Sequence, residues 1–231
     1  MIFAVGGLIW HKKRDLSFAY LIMGMLNINK WFRRDKMQAF DKKFGRVVLG
    51  IDEAGRGPLC GPVVSCCAFW KDYPQETLGI DDSKKINEKR RSEIYHTLLQ
   101  LRAEGRLTWA IGIASAYSID EVNIFNATKQ SMQNAFDRCE KPKCDYVILV
   151  DGNHTMLRED TVPIVKGDQQ SFAIATASII AKVTRDEIMC ALDSLYPEYG
   201  LKKHKGYGTI QHRKAMHENG LTPYHRVTFR Y

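Results

Sequence analysis

A chain of 231 residues with 45% hydrophobic content has room for one domain with a sizeable core, or one domain and an appendage. Its formal charge of +8 is unevenly spread: residues 1–46 hold ten Lys/Arg against three Asp/Glu, residues 47–198 hold 17 against 22, and residues 199–231 hold seven against one. An acidic middle between basic ends fits a metal site flanked by groups that grip a polyanion. The six cysteines form no C-x-x-C pair and have no histidine pair at zinc spacing, so they read as small buried hydrophobes in a reducing compartment.

Residues 1–36 differ from the rest. The apolar run Leu16–Ile28 has 13 residues, short of the ~18–20 that span a bilayer, and no small-x-small cleavage site follows it. Residues 1–43 are therefore expected to form a poorly ordered or loosely docked extension, or an upstream-start artefact, and residues 44–231 the catalytic domain. Met37 stands just before Gln38–Gly45, a lead-in to the first strand, and translation from Met37 is one reading. N-terminal mass determination on natively expressed protein tests it; a peptide from residues 1–36 would sink it.

Val47–Ile51 reads as a buried strand and Val63–Phe69 as its antiparallel neighbour, joined through the Gly/Pro-rich segment 55–62. Asn87–Leu101 has helical spacing, with Ile94, Leu98 and Leu101 on one face, and Leu107–Ala114 is a third strand. Ser118-Ile119-Asp120-Glu121 fits a capping box, which starts a helix near Ile119 that runs, with a break, toward Cys139. Tyr146–Val150 and Val162–Val165 are further strands. A long helix covers Ser171–Leu195, and Thr209–Asn219 is a short one with Gly220 at its C-terminal cap. Three strands followed by alternating strands and helices suggest a mixed sheet flanked by helices.

The chemistry gathers at strand exits. Asp52 and Glu53 end the first strand; Asp151 ends Tyr146–Val150 and precedes Gly152-Asn153. Acids at the ends of neighbouring buried strands converge where a sheet meets solvent. Neighbours in a regular strand point to opposite faces, so Glu53 joins Asp52 only if the strand ends there. A fourth acid comes from Asp168, in the loop Lys166-Gly167-Asp168, or from Asp186. Asp186 lies ~22 Å along the long helix from its first turn, which favours Asp168 and leaves Asp186 to pair with Lys182 or Arg185 or to cap a polar face. Hard oxygen ligands indicate Mg²⁺ or Mn²⁺, and such a cluster suits two-metal phosphodiester hydrolysis. Gly55-Arg56-Gly57 brings bare backbone to a phosphate or sugar. Asp82-Ser83-Lys84-Lys85 and His225-Arg226 offer phosphate-binding groups, and Tyr207, held between glycines after Lys202-Lys203-His204-Lys205, can stack on a sugar or base.

These segments resemble the type 2 ribonucleases H of bacteria (ribonuclease HII). The matching stretches, in order, are Ile51–Pro58, Asp82–Lys85, Asn123–Thr128, Val150–Asn153, Lys166–Asp168, Ala177–Asp186, His204–Thr209 and His225–Arg226, together spanning about residues 44–231. The resemblance implies an α/β RNase H-like fold with a mixed five-stranded sheet flanked by helices. It implies cleavage of RNA in RNA–DNA hybrids and 5′ of ribonucleotides embedded in duplex DNA, leaving a 3′-hydroxyl and a 5′-phosphate. It assigns metal-binding and catalytic roles to Asp52, Glu53, Asp151 and Asp168, and ribose reading to Gly55, Arg56 and Gly57. Tyr207 matches the tyrosine that stacks at the RNA–DNA junction, and Ser83, Lys84 and Lys166 match substrate-binding positions. A cytoplasmic monomer using Mn²⁺ or Mg²⁺, with no membrane partner, is expected. Departures are Cys60, where the family often has alanine; Thr176 in an alanine-rich stretch; and a chain end soon after His225-Arg226, which bears on affinity more than chemistry. The alternatives are a DNA nuclease or recombinase on the same fold, marked by equal cleavage of all-DNA duplex, and a nucleic-acid-binding protein without catalysis, against which the four acids argue.

Overall fold

The computed structural model describes residues 34–75, 78–80, 86–153 and 160–230. Most of the 1–43 stretch, including the run Leu16–Ile28, and the substrate-binding candidates Ser83 and Lys84 lie outside the described residues.

Five strands form one mixed sheet: β1 (Val47–Ala54), β2 (Val63–Trp70), β3 (Leu107–Ala114), β4 (Tyr146–Asp151) and β5 (Thr161–Ile164), in the order β3-β2-β1-β4-β5. β1 pairs antiparallel with β2 and parallel with β4, which makes it the central strand. Its parallel register ends at Ile51↔Val150, while its antiparallel register continues to Ala54↔Val64. The strand therefore runs three residues past its expected end at Ile51, supported on one side only. Pro163, which cannot donate to a ladder, lies in β5 at the sheet edge, where this costs least.

Both sheet faces are covered, so the central strands are apolar throughout rather than alternating. Helix α3 (Ala116–Arg138) packs Met132, Ala135 and Phe136 onto Leu49, Ile51, Cys67 and Phe69. Helix α4 (Phe172–Leu195) covers the other face with α2 (Glu88–Ala103), joining Phe172 and Ile180 to Cys66, Ala68, Trp70, Ile94 and Leu98. Two glycines set the closeness of this packing. A Cβ on Gly112 would fall 1.9 Å from the Ser131 carbonyl oxygen, and one on Gly50 would fall 2.3 Å from the backbone of Ala173 and Ile174.

Helix α3 begins one turn earlier than its capping-box motif suggests. Ser115 is the cap, its hydroxyl accepting from Ser118 N–H at 3.0 Å. Asp120, inside that motif, accepts from the Val227 and Thr228 N–H groups of the C-terminal tail at 3.0 Å each. The break expected in this helix falls at Asn123, whose φ is 67°. Thr176 accepts the buried Trp70 indole N–H at 3.0 Å and donates to the Phe172 carbonyl, which gives a hydroxyl a place in that alanine-rich stretch.

Residues 34–42 form helix α1, which docks on the domain. Met37 is buried, and Asp41 accepts from Ala173 N–H at 3.0 Å and Tyr73 O–H at 3.1 Å. Burial pushes the Asp41 carboxyl up to about 6. At the other end, α5 (Leu201–His204), α6 (Ile210–Asn219) and the tail enclose a separate apolar cluster with Leu59, Cys60, Met189 and Tyr199. Four cysteines are buried, Cys144 is exposed and Cys190 is half-buried, all as thiols. No described helix is long and apolar enough to cross a membrane.

Candidate active site

A cleft of about 560 Å³ opens where β1 and β4 leave the sheet; Asp52, Glu53, Asp151, the segment Gly55-Arg56-Gly57 and Tyr207 all line it. The register explains the meeting of acids. Ile51 lies beside Val150, so the next residues, Asp52 and Asp151, emerge side by side. Asp52 points to the α4 face, where Ser178 donates to it, and its Oδ1 also accepts from Glu53 N–H at 2.7 Å. Burial pushes the Asp52 carboxyl well above the carboxylate range, and the nearby charges of Glu53 and Asp151 push the same way. Glu53 reaches the cleft although β1 does not end before it, contrary to the condition set from sequence. Beyond Ile51 the strand has lost its β4 partner, and Glu53, largely covered, lines the cleft together with Asp52. Arg56 lies 3.4 Å from Glu53 across the turn.

Asp168 is buried in a short 3-10 turn, Gly167–Gln169, that leads into α4. The turn is tied to the cleft through Gly167, whose N–H donates to Asp151 Oδ1 at 2.6 Å. Asp168 itself does not line the cleft. Among the described residues, no three acidic, histidine or cysteine side chains stand in an arrangement that would hold a metal ion as they are. Asp52 and Asp151 each turn an oxygen to a backbone N–H, of Glu53 and Gly167 respectively. Lys166 is exposed in the left-handed region (φ 54°) and stays outside the cleft.

The glycine loop faces Tyr207: a Cβ on Gly57 would lie 3.6 Å from the Tyr207 ring. A loop rich in glycine and proline makes few ladder bonds, so its buried carbonyls need other donors. Two buried arginines supply them. Arg185 donates to the carbonyls of Cys60, Pro62 and Lys205 at 2.9–3.0 Å. Arg226 donates to those of Gly55, Arg56 and Gly61 at 2.5–3.0 Å. Burial lowers the pKa of both. His225-Arg226 is therefore not a phosphate-binding pair as its sequence suggests: both residues are buried, 2% and 1% exposed, and they face the protein's own backbone.

Ser178, Lys182 and Arg185 were not among the site residues read from sequence, yet all three line the cleft. Their i, i+4, i+7 spacing on an otherwise apolar helix is a legible signal, since it puts three polar groups on one face. Asp186 pairs with Lys182 at 2.5 Å, one of the expected partners, and with Arg91 at 3.4 Å rather than with Arg185. It stays clear of the acids.

A family model described as Ribonuclease HII matches residues 49–231. The Ribonuclease HII of Clostridioides difficile is 46% identical over 193 residues, 83% of this chain and 72% of that protein. Among solved structures, the ribonuclease HII in a complex with PCNA from Archaeoglobus fulgidus superposes with a TM-score of 0.66 at 25% identity, covering 80% of this chain and 96% of that one. The ribonuclease H2 of Pyrococcus horikoshii gives 0.65 at 26% identity, covering 79% and 93%.

Proposed function

The chain belongs to the ribonuclease HII family, and we propose that it cuts the RNA strand of RNA–DNA hybrids and cleaves 5′ of ribonucleotides embedded in duplex DNA. The observation that carries this reading is the sharing of one cleft by strand-end carboxylates and by the glycine loop with Tyr207. One part suits phosphodiester hydrolysis; the other suits inspection of a sugar.

The donor set fits a hard divalent cation. It consists of carboxylate oxygens, with Glu53 and Asp151 close enough to Asp52 that their charges add to burial in pushing its pKa up, and with no sulfur or imidazole among them. We assign Asp52, Glu53 and Asp151 to hold Mn²⁺ or Mg²⁺, with Asp168 as the fourth carboxylate. A cation held there would lower the pKa of a water and stabilise the leaving oxygen. The protein's own groups set the geometry. Gly167 N–H orients Asp151, and Ser178 with Glu53 N–H orients Asp52. Lys182 brings a positive charge into the cleft, held there by Asp186. The backbone of Gly55-Arg56-Gly57 approaches the ribose, whose 2′-hydroxyl is what separates RNA from DNA. Tyr207, half exposed, stacks on the adjoining nucleotide. The proposed active form is a monomer.

The test is incubation with duplex DNA carrying one ribonucleotide, with a uniform RNA–DNA hybrid and with all-DNA duplex, in Mg²⁺ and in Mn²⁺. Cleavage of the first two, with 5′-phosphate products, is expected. Cutting of all-DNA duplex at a comparable rate would overturn the ribose-reading assignment in favour of a DNA nuclease.

A further inference from the structure

Beneath Tyr207, two buried histidines form a chain whose direction the partners dictate. The Tyr207 carbonyl can only accept, so His212 Nδ1, 3.0 Å away, carries the proton. A neutral His212 then has an accepting Nε2, and His225 Nε2–H donates to it at 3.1 Å. His225 Nδ1 is left to accept, and it does so from Thr222 N–H at 3.0 Å. A proton added to either ring removes an acceptor and breaks a link. The surroundings also disfavour a charge on either ring: both are buried, His204 stacks on His212 at 4.5 Å, Arg213 follows it on α6, and each of the two rings would repel a charge on the other.

The next residue reaches the other way. Arg226 Nη1 and Nη2 donate to the Arg56 and Gly55 carbonyls. The backbone between the two arms is itself pinned: Arg226 N–H donates to Leu59 O at 2.9 Å, and Cys60 forms a β-bridge with His225. One dipeptide thus touches both walls of the cleft from behind, one wall through His212 and the other directly.

We propose that His225-Arg226 is a two-armed positioning element that sets the gap between the Gly55-Arg56-Gly57 loop and Tyr207, with His212 as the relay to the tyrosine. The proposal rests on the reading of that loop and Tyr207 as the ribose-inspecting pair. It assigns His212, His225 and Arg226 no contact with substrate.

The experiment compares kcat/KM for duplex DNA with one ribonucleotide against kcat/KM for a uniform RNA–DNA hybrid, in His212→Phe, His212→Asn, Tyr207→Ala and the Tyr207→Ala/His212→Phe double variant. Phe keeps the ring and deletes both hydrogen bonds; Asn keeps an N–H aimed at the Tyr207 carbonyl. Tyr207→Ala is expected to lower the ratio roughly 5–150-fold, the scale of one lost stacking contact. His212→Phe should lower it in the same direction, His212→Asn should recover part of that loss, and the double variant should match Tyr207→Ala alone. Additive losses in the double variant, or a normal ratio in His212→Phe, would overturn the relay while leaving the role of Tyr207 intact. A normal ratio in Tyr207→Ala would overturn the ribose-inspecting reading and the positioning element with it. Should His212→Phe not fold, a wild-type ratio in Arg226→Lys together with no loss in His212→Asn would refute the element by itself.

Discussion

Gly50→Ala tests whether the spacing of helix α4 from the sheet controls the chemistry. Gly50 lies two residues before Asp52 and faces the same way. An added methyl would sit 2.3 Å from the Ala173 carbonyl carbon and the Ile174 nitrogen, and 2.6 Å from the Ala173 oxygen. These are backbone atoms of the first helical turn, with no rotamer to move aside. Relief to an ordinary contact needs a displacement of about 1 Å. Overpacking of this kind costs roughly 1–3 kcal/mol, or a fall in Tm of about 2–12 °C for a chain of this size. The same helix carries Ser178, Lys182 and Arg185 into the cleft and follows the turn that holds Asp168. A misplacement of ~1 Å in catalytic geometry costs ~10²-fold in rate. Activity should therefore drop by about two orders of magnitude at a temperature well below the melting point, where the variant is still folded by circular dichroism. Wild-type turnover together with an unchanged Tm would refute the argument.

The remaining expectations concern single groups. Asp151→Asn should abolish cleavage while leaving duplex binding largely intact in a gel-shift assay; surviving activity would remove Asp151 from the metal set. Tyr207→Ala should weaken selectivity for a single embedded ribonucleotide by ~1–3 kcal/mol, read from competing substrates. Thr176→Ala strands the buried Trp70 indole N–H and should cost ~1–3 kcal/mol in denaturant unfolding, a loss that Trp70→Phe/Thr176→Ala does not add to on the hydrogen-bond account. Burial, then His212, pushes His225 down from 6.5 to about 4. Both states are neutral above 6.5. As pH falls from 6.5 to 4 the unfolded chain takes up the proton first, so this residue removes stability progressively, by about 3 kcal/mol in all. Asp41, raised to about 6, works in the opposite sense below that pH. The signature to measure is thus the difference in unfolding free energy between wild type and His225→Asn, which should shrink across pH 6.5 to 4; a constant difference would refute it.

The parts legible in the sequence obey local rules. Each strand is an apolar run, and Asn87, Ser171 and Thr209 stand where a helix cap must stand, their side chains accepting from the N–H groups of Arg90, Ile174 and His212. Asp52 and Asp151 were readable because each closes a buried strand, and parallel register then brings them together. The capping box at Ser118 misled because Ser115 offers the same chemistry one turn earlier, and only the tail, arriving from a hundred residues away, determines that Asp120 accepts from Val227 and Thr228. The buried arginines could not be read as structural for a related reason. Arginine beside histidine near a basic tail has the composition of a phosphate site, and nothing local shows that the carbonyls of residues 55–62 lack donors.

That reassignment changes the charge argument as well. The tail's seven basic residues count toward the basic ends read as gripping a polyanion. Arg226 is spent on loop carbonyls, and Lys205 is buried with its ammonium 3.2 Å from Glu88. The exposed cations are Lys202, Lys203, Arg213, Lys214 and Arg230. A buried guanidinium still acts on its surroundings, since low-dielectric packing leaves its field less screened than that of a surface lysine. Arg185 and Arg226 therefore place two positive charges behind the glycine loop, and the backbone that faces the substrate is made more attractive to a phosphodiester without exposing a flexible cation there. Rigid aim and favourable potential at the wall proposed to read the sugar come from the same two side chains.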